Sequence, residues 1–422
     1  ALALSRPPGA DAASLSLRLA NPGGPIPLSS IMPLFDSLGL AALEEVPHHL
    51  TSGSGSEVVV HVFTLRDPEG RAVDEAVFSP LMEALAALGD GAIEPDGFNR
   101  LVLRAGLSWQ ECWLLRALYK WCRQVGFAFS QPAVEGALAA NQDAARLLVD
   151  FFRSRHDPKG QREDEANVTA AWATLLDSIA SPDEDRILQR LMKALAAVVR
   201  CNLFQGKPWL ALKFDSARAG DMPLPRPLFE IFVHNARMEG CHLRAGKVAR
   251  GGIRWSDRRE DFRTEILGLM KAQTIKNVVI VPTGAKGGFV LKKPPAITGD
   301  AARDREATQA EGIACYKMLV SGMLDLTDNI GPDGVIAADC VRLDADDPYI
   351  VAAADKGTAT FSDIANGLSA DYGFWLGDAF ASGGSQGYDH KAMGITAKGA
   401  FVCIRRHFRE LGHDTDATPF TV

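Results

Sequence analysis

The sequence predicts an α/β domain built on an open, mostly parallel sheet with flanking helices, preceded by a helical region and a small α+β ferredoxin-like module. Three observations carry this expectation. Residues 247–295 alternate strand-like and helical patterns, Asp74 to about Leu203 keeps the helical period, and the first 73 residues place strand patterns around one helical stretch. The expected divisions are 1–73 for the small module, 74–207 for the helical region and 208–422 for the α/β domain.

In the small module, Leu15, Leu17 and Leu19 alternate with Ser16 and Arg18, as a half-buried strand requires. Pro25 to Leu40 reads as partly helical, with Ser29 or Ser30 as its cap, and Glu57 to Thr64 is a second strand. A unit of this size fits a ferredoxin-like module. No ligand-binding residues stand out in it, so a packing role is the simpler reading. In the helical region, Phe78-Leu81-Met82-Leu85 and Leu114-Leu115-Leu118-Trp121-Cys122 follow the helical period, and the charged stretch 156–165 separates further helices. Trp109, Trp113 and Trp121 allow a stacking platform, but their spacing favours bundle core. Four prolines between Pro208 and Pro227 mark the boundary into the next domain.

The α/β domain opens with strands at 229–234 and 241–248, and the chain then reaches Arg250-Gly251-Gly252. Asp257-Arg-Arg-Glu260 reads as a capping box opening a helix. Phe262, Ile266, Leu269, Met270 and Gln273 share one face of that helix, and Lys276, seven residues after Leu269, joins them. Val278 to Val281 is a β-branched run expected of a strand buried on both sides, ended by Pro282. Gly284-Ala-Lys-Gly-Gly288 then places Lys286 at the carboxyl end of that strand, where open α/β sheets bind ligands. Further on come a helix at 312–327, a buried strand at 349–354 with Asp355 at its carboxyl end, and a helix beginning at Ser362. The glycines at 383, 384 and 387 do not make GxGxxG, and a last helix runs from about Ile395 to Leu411.

Two lysines and an arginine thus have a route to one crevice. Bland readings stand beside that one: Lys276 as a cation at a helix C-terminus, Lys286 on a surface turn, Asp355 as a cap or surface ion pair. The glycines around Lys286 favour close approach to the backbone. A phosphate loop is ruled out, because Lys286 is followed by two glycines and Phe289 rather than by Ser or Thr entering a helix.

A net charge of −7 argues against nucleic acid as a partner, and no run of 18 apolar residues exists to span a membrane. Seven scattered cysteines without CxxC read as reduced thiols of a cytoplasmic protein. Neither they nor the nine histidines make a metal-ligand spacing, so no metal is expected. Both ends read as cut, the last residues resembling the start of a strand, so a longer polypeptide is expected.

The stretch 247–288, with its basic residue before Gly-Gly, helix ending in lysine and glycine-framed second lysine, resembles the very large NAD-dependent glutamate dehydrogenases of bacteria. More distantly it resembles all glutamate dehydrogenases, and VAAADKGTATFSDIAN, which contains Asp355, fits their third element. The resemblance runs from about Leu228 onward and is most specific over 247–288 and 347–400. It implies oxidative deamination of L-glutamate to 2-oxoglutarate and ammonia with NAD. It implies Lys286 as the catalytic lysine, its amine made available by neighbouring cations and partial burial, and Asp355 as proton carrier to and from ammonia. Lys276 then takes the α-carboxylate and Arg250 the distal one, with Gly251, Gly252 and Ala353 also lining the substrate and Thr396 beside the nicotinamide.

Two departures accompany the resemblance: Arg250 stands where smaller relatives carry a lysine, and the stretch from Lys276 to Gly284 is slightly short. A Rossmann NAD domain beyond 422, N-terminal regulatory modules and homo-oligomerisation are further implications. An apolar amino acid dehydrogenase is the nearest alternative, and Arg250 argues against it. A non-catalytic regulatory or scaffolding fragment is another, opposed by the joint presence of Lys286 and Asp355.

Overall fold

The computed structural model describes the chain except for residues 8, 23, 52–56, 161–163, 277–281, 355–360, 378, 381–392 and 422. The first strands are β1 (Leu2–Ser5) and β2 (Ser14–Asn21), followed by α1 (Leu28–Leu38), β3 (Ala41–Thr51) and β4 (Glu57–Arg66). They form an antiparallel sheet in the order β1-β2-β4-β3. Leu15 and Leu17 of β2 and Phe63 and Leu65 of β4 turn alternate side chains onto Ile31, Phe35 and Leu38 of α1. Gly39 ends α1 at φ 77, a left-handed conformation that glycine takes without strain.

Seven helices follow: α2 (Phe78–Gly89), α3 (Arg100–Ala105), α4 (Trp109–Gln124), α5 (Gln131–Ala140), α6 (Gln142–His156), α7 (Asp164–Leu176) and α8 (Pro182–Ala197). A capping box between Ser108 and Glu111 starts α4. Trp113 and Trp121 are buried core residues, and the Trp121 ring stacks on Phe214 with centroids 4.1 Å apart.

The larger sheet has seven strands: β5 (Val198–Cys201), β6 (Leu210–Asp215), β7 (Phe229–Asn235), β8 (Met238–Arg244), β9 (Ala249–Trp255), β10 (Thr283–Leu291) and, after the small hairpin β11 (Asn329–Gly331) and β12 (Gly334–Ile336), β13 (Val351–Ala354). Helix α9 (Phe262–Lys276) connects β9 to β10, and α10 (Ala301–Asp325), α11 (Ser362–Asp371) and α12 (Ile395–Glu410) complete the described elements. The strand order is β13-β9-β10-β8-β7-β6-β5. One face packs against α4, α8 and α9, and the opposite face against α10 and α11.

This sheet corrects several expectations. It is mixed rather than mostly parallel: β13, β9 and β10 run parallel, while the pairings from β10 through β8, β7 and β6 to β5 are antiparallel. Ala236-Arg237 alone joins β7 to β8, and so short a link serves only antiparallel neighbours. The sheet also draws its edge strand β5 from residues read as helical, where β-branched Val198 and Val199 leave the helical conformation. The expected division at 208 therefore falls inside this sheet's segment.

Helix α9 begins at Phe262 rather than at a capping box over 257–260, and the Asp261 carbonyl accepts the amides of Thr264 and Glu265. The glycine-framed segment 284–288, expected at the carboxyl end of a strand, lies instead within strand β10. The expected strand 278–281 lies outside the described residues. No described helix is long and apolar enough to cross a membrane, and among the described residues no His, Cys, Asp or Glu cluster fits a metal.

Candidate active site

Strands β13, β9 and β10 lie side by side, and register decides what meets on their shared face. Ala353 is opposite Gly252. The pairing of Gly284 with Arg250 and Gly287 with Ile253 carries Lys286 to Gly252. Ala353, Gly252 and Lys286 therefore form one row across three strands, with the small residues leaving the lysine stem unobstructed from that side. One row towards the start of the strands stand Val351, Arg250 and Gly284; one row the other way, Arg254 sits opposite Gly288.

Helix α9 roofs this face, and glycines in the strand set its height. A Cβ on Gly284 would lie 2.3 Å from the Thr274 backbone nitrogen, and one on Gly288 would lie 2.3 Å from Ile266 Cδ1. Side chains alternate along a strand, so Lys286, between these glycines, points to the same face under the helix. It is only 3 % exposed. Burial, reinforced by Arg254 and opposed by Glu265, pushes its amine down to about 8. Arg254 pairs with Glu265 at 2.9 Å, and the Ser256 hydroxyl donates to the other Glu265 oxygen at 2.6 Å.

Gly251 points to the opposite face, where a Cβ would fall 1.6 Å from the Ala285 carbonyl oxygen. Its contribution to the site is to let β9 and β10 approach. Arg250 is exposed at the start of β9. It lies near enough to Tyr349 to oppose the rise that burial gives that phenol. Lys276 is exposed too, although its helical phase matches the inward residues. Thr274 already lies over Gly284, the second residue of β10, so the end of the helix overshoots the sheet. Arg250 and Lys276 thus both lie exposed near the start of the β9–β10 pair, with Lys286 buried one row further along under α9. Strand β13 ends at Ala354, and Asp355 lies outside the described residues. Thr396 is the second residue of α12, and its side chain likewise lies outside them.

Sequence reasoning missed two kinds of residue. Arg254 and Glu265 flank the lysine, and a period-2 count along Arg250-Gly252-Arg254 would have found the first. The other kind is the ionic network holding the approach to β13 on the far face of the sheet. Arg200 binds Asp328 (2.8 Å) and Asp344 (2.6 Å), Lys213 binds Asp344 (2.5 Å) and Asp347 (2.6 Å), and Arg244 grips Asp347. Burial alone would raise the Asp347 carboxyl, but Arg244 and Lys213 outweigh it and hold the group well below the usual range. Arg244 also donates to the Tyr349 carbonyl at 3.1 Å, two residues before β13 begins.

Fold and site together define an α/β domain whose sheet face carries a buried amine of lowered basicity beneath a crossover helix, with two exposed cations near the start of the strands. Comparison with known proteins narrows this class. The model of the bacterial NAD-glutamate dehydrogenase catalytic domain matches residues 171–422, and the chain belongs to that family. Residues 93–158 match the glutamate dehydrogenase helical motif 3, and residues 1–78 the glutamate dehydrogenase ACT3 domain. The chain is 50 % identical to the NAD-specific glutamate dehydrogenase of Mycobacterium tuberculosis over 94 % of its own length. It is 46 % identical to the enzymes of that name from Halomonas elongata, over 100 % of the chain, and Pseudomonas aeruginosa, over 97 %. In each case it spans 26 % of the relative, so it covers about a quarter of their length.

Proposed function

We propose that this chain supplies the substrate site and the catalytic lysine and aspartate for oxidative deamination of L-glutamate to 2-oxoglutarate and ammonia with NAD. The observation that carries the reading is Lys286, a buried amine held near 8 in a row with Gly252 and Ala353 and roofed by α9. Lys276 takes the α-carboxylate and Arg250 the distal carboxylate near the start of the strands. Two residues along a strand span roughly 7 Å, the scale of a five-carbon dicarboxylate reaching from Arg250 towards Lys286. NAD, when bound, accepts the hydride from the α-carbon, with Thr396 beside the nicotinamide. Lys286, as the free amine, takes a proton from the water that attacks the resulting imine carbon. Asp355 carries protons to and from the departing ammonia.

The first 73 residues read as an ACT-like module. The order β1-β2-β4-β3, with α1 between β2 and β3 and α2 packed on β1, supports a ferredoxin-type layout whose usual last strand comes first. The family match over 1–78 supports the same reading.

The test uses the intact polypeptide that carries this chain. Glutamate-dependent NAD reduction that disappears in Lys286→Ala, with the circular dichroism spectrum unchanged, is the expected result. Undiminished turnover in that variant removes Lys286 from the reaction.

A further inference from the structure

Lys286 is not the only charged group beneath α9. Arg254 stands on the same face of β9 as Gly252, one row nearer the carboxyl ends. Its guanidinium meets Glu265, which belongs to the first turn of α9. Both side chains are largely buried, with 25 % and 12 % of their surface exposed. Glu265 is fixed from a second direction by the Ser256 hydroxyl, and the Ser256 amide in turn donates to Phe289 of β10 at 2.9 Å. The pair therefore ties β9, the turn after it, α9 and β10 into one unit around the lysine. A salt bridge whose only task was to pin α9 could stand anywhere along the helix, and Arg263 with Glu230 already performs that task.

We propose that Arg254 and Glu265 are positioning residues for Lys286, a coupled pair in which Glu265 sets how much of the Arg254 charge reaches the lysine amine. This rests on the proposed role of Lys286 in glutamate oxidation. Arg254 disfavours the ammonium form and Glu265 favours it, so the two act in opposition on one group. Among the described residues, charge acts on Lys286 from β9 and from α9. Strand β9 brings Arg254 and, near its start, Arg250; α9 brings Glu265; β8 brings Leu243 opposite Lys286 and Cys241 opposite Gly288, a thiol that burial keeps protonated. Beyond β13 the next residue, Asp355, lies outside the described residues. Because the pair is held by Ser256 and the turn, the balance is built into the fold and is present before substrate arrives, which is what preorganised acid–base catalysis needs.

The test follows the lysine itself rather than turnover. In the chain labelled with 13C-lysine, the Lys286 side-chain signal is identified by its loss in Lys286→Arg, and its titration midpoint is measured in wild type, Glu265→Gln, Arg254→Gln and the double variant. Glu265→Gln is expected to lower the midpoint by about one pH unit and Arg254→Gln to raise it by a similar amount, with the double variant returning towards wild type. Arg254→Lys, which keeps the charge, is expected to hold the wild-type midpoint. A midpoint unmoved in both single variants, with the remaining lysine signals unchanged, overturns the proposal. Opposite shifts support it even if the intact polypeptide proves inactive on glutamate, an outcome that would instead sink the proposed reaction.

Discussion

Trp121 and Arg263 hold the same carboxylate. The indole Nε1 of Trp121 in α4 donates to Glu230 Oε1 at 3.0 Å, and Arg263 in α9 donates to both Glu230 oxygens at 2.8 and 2.6 Å. Glu230 lies in β7 and is fully buried, so the helical region, the sheet and the roof of the site share one anchor. Glu230→Ala leaves the Arg263 charge buried without its partner, which typically costs about 3–5 kcal/mol. Urea unfolding of wild type and variant checks this, and a loss within the error of the extrapolation would mean that α9 is seated by apolar packing alone.

Lys286, in its proposed catalytic role, is expected to show in rate before it shows in stability. In the intact polypeptide, Lys286→Ala and Asp355→Asn should each lower kcat for glutamate oxidation by about 10²–10⁴-fold, the usual contribution of a positioned acid or base. Steady-state rates with glutamate and NAD measure it, and a loss below tenfold in either variant removes that residue from proton transfer.

The depressed Lys286 amine also has a sign in stability. Its folded value, about 8, lies below the ordinary 10.5, so between those values the unfolded chain binds more protons than the folded one. Burying this lysine therefore costs stability below about pH 8, and the cost fades as pH rises towards 10.5. Relative to Lys286→Met, wild type should gain stability between pH 7 and pH 10. Denaturant midpoints of the two proteins at both pH values settle the sign, and a parallel response contradicts it.

Arg250 is expected to act on specificity. If it holds the distal carboxylate in a substrate-filled groove, Arg250→Leu removes one member of a charge pair worth about 3–5 kcal/mol, or roughly 10²–10³-fold in kcat/KM for glutamate. Norvaline, which has no distal charge, should lose far less. Equal losses for both substrates would make Arg250 structural and shift attention to Lys247, whose amine lies 3.5 Å from the Asp346 carbonyl.

Two glycines separate a close approach from an ordinary helix position. At Gly284 an added methyl meets the Thr274 backbone at 2.3 Å, whereas at Gly268, in the exposed middle of α9, nothing lies within 4 Å. Gly284→Ala should destabilise by about 1–3 kcal/mol through overpacking, and Gly268→Ala should stabilise by about 0.5–1 kcal/mol. Thermal unfolding of the two variants distinguishes them, and the same sign for both would mean that α9 shifts freely over β10.

The residues were more legible than the backbone that carries them. The glycines around Lys286 marked it as a site, yet together with Pro282 they placed the segment past the end of a strand rather than within one. In this sheet they are strand residues, made small so that Thr274 and Ile266 can come down on β10. Lys276 has the inward helical phase, and periodicity does not say where the sheet beneath a helix stops. The antiparallel half of the sheet was hidden because strand direction follows from connections: starting the second strand at 241 rather than Met238 concealed the tight β7–β8 link, and β5 was read as helix. Arg200, Lys213 and Arg244 carry no local signal, since their acidic partners come from far along the chain.

Arg244 and Asp347 stand 103 positions apart in sequence, and β13, which follows directly, completes the row containing Gly252. During synthesis, β9 and β10 therefore emerge from the ribosome well before the strand that will lie against β9. Through that interval β9 offers an unpaired edge, the kind of surface on which nascent chains stick to one another. Versions of the chain ending before Val351 should for that reason associate even where most of the apolar core is already made, and shielding by a chaperone would matter most during that interval.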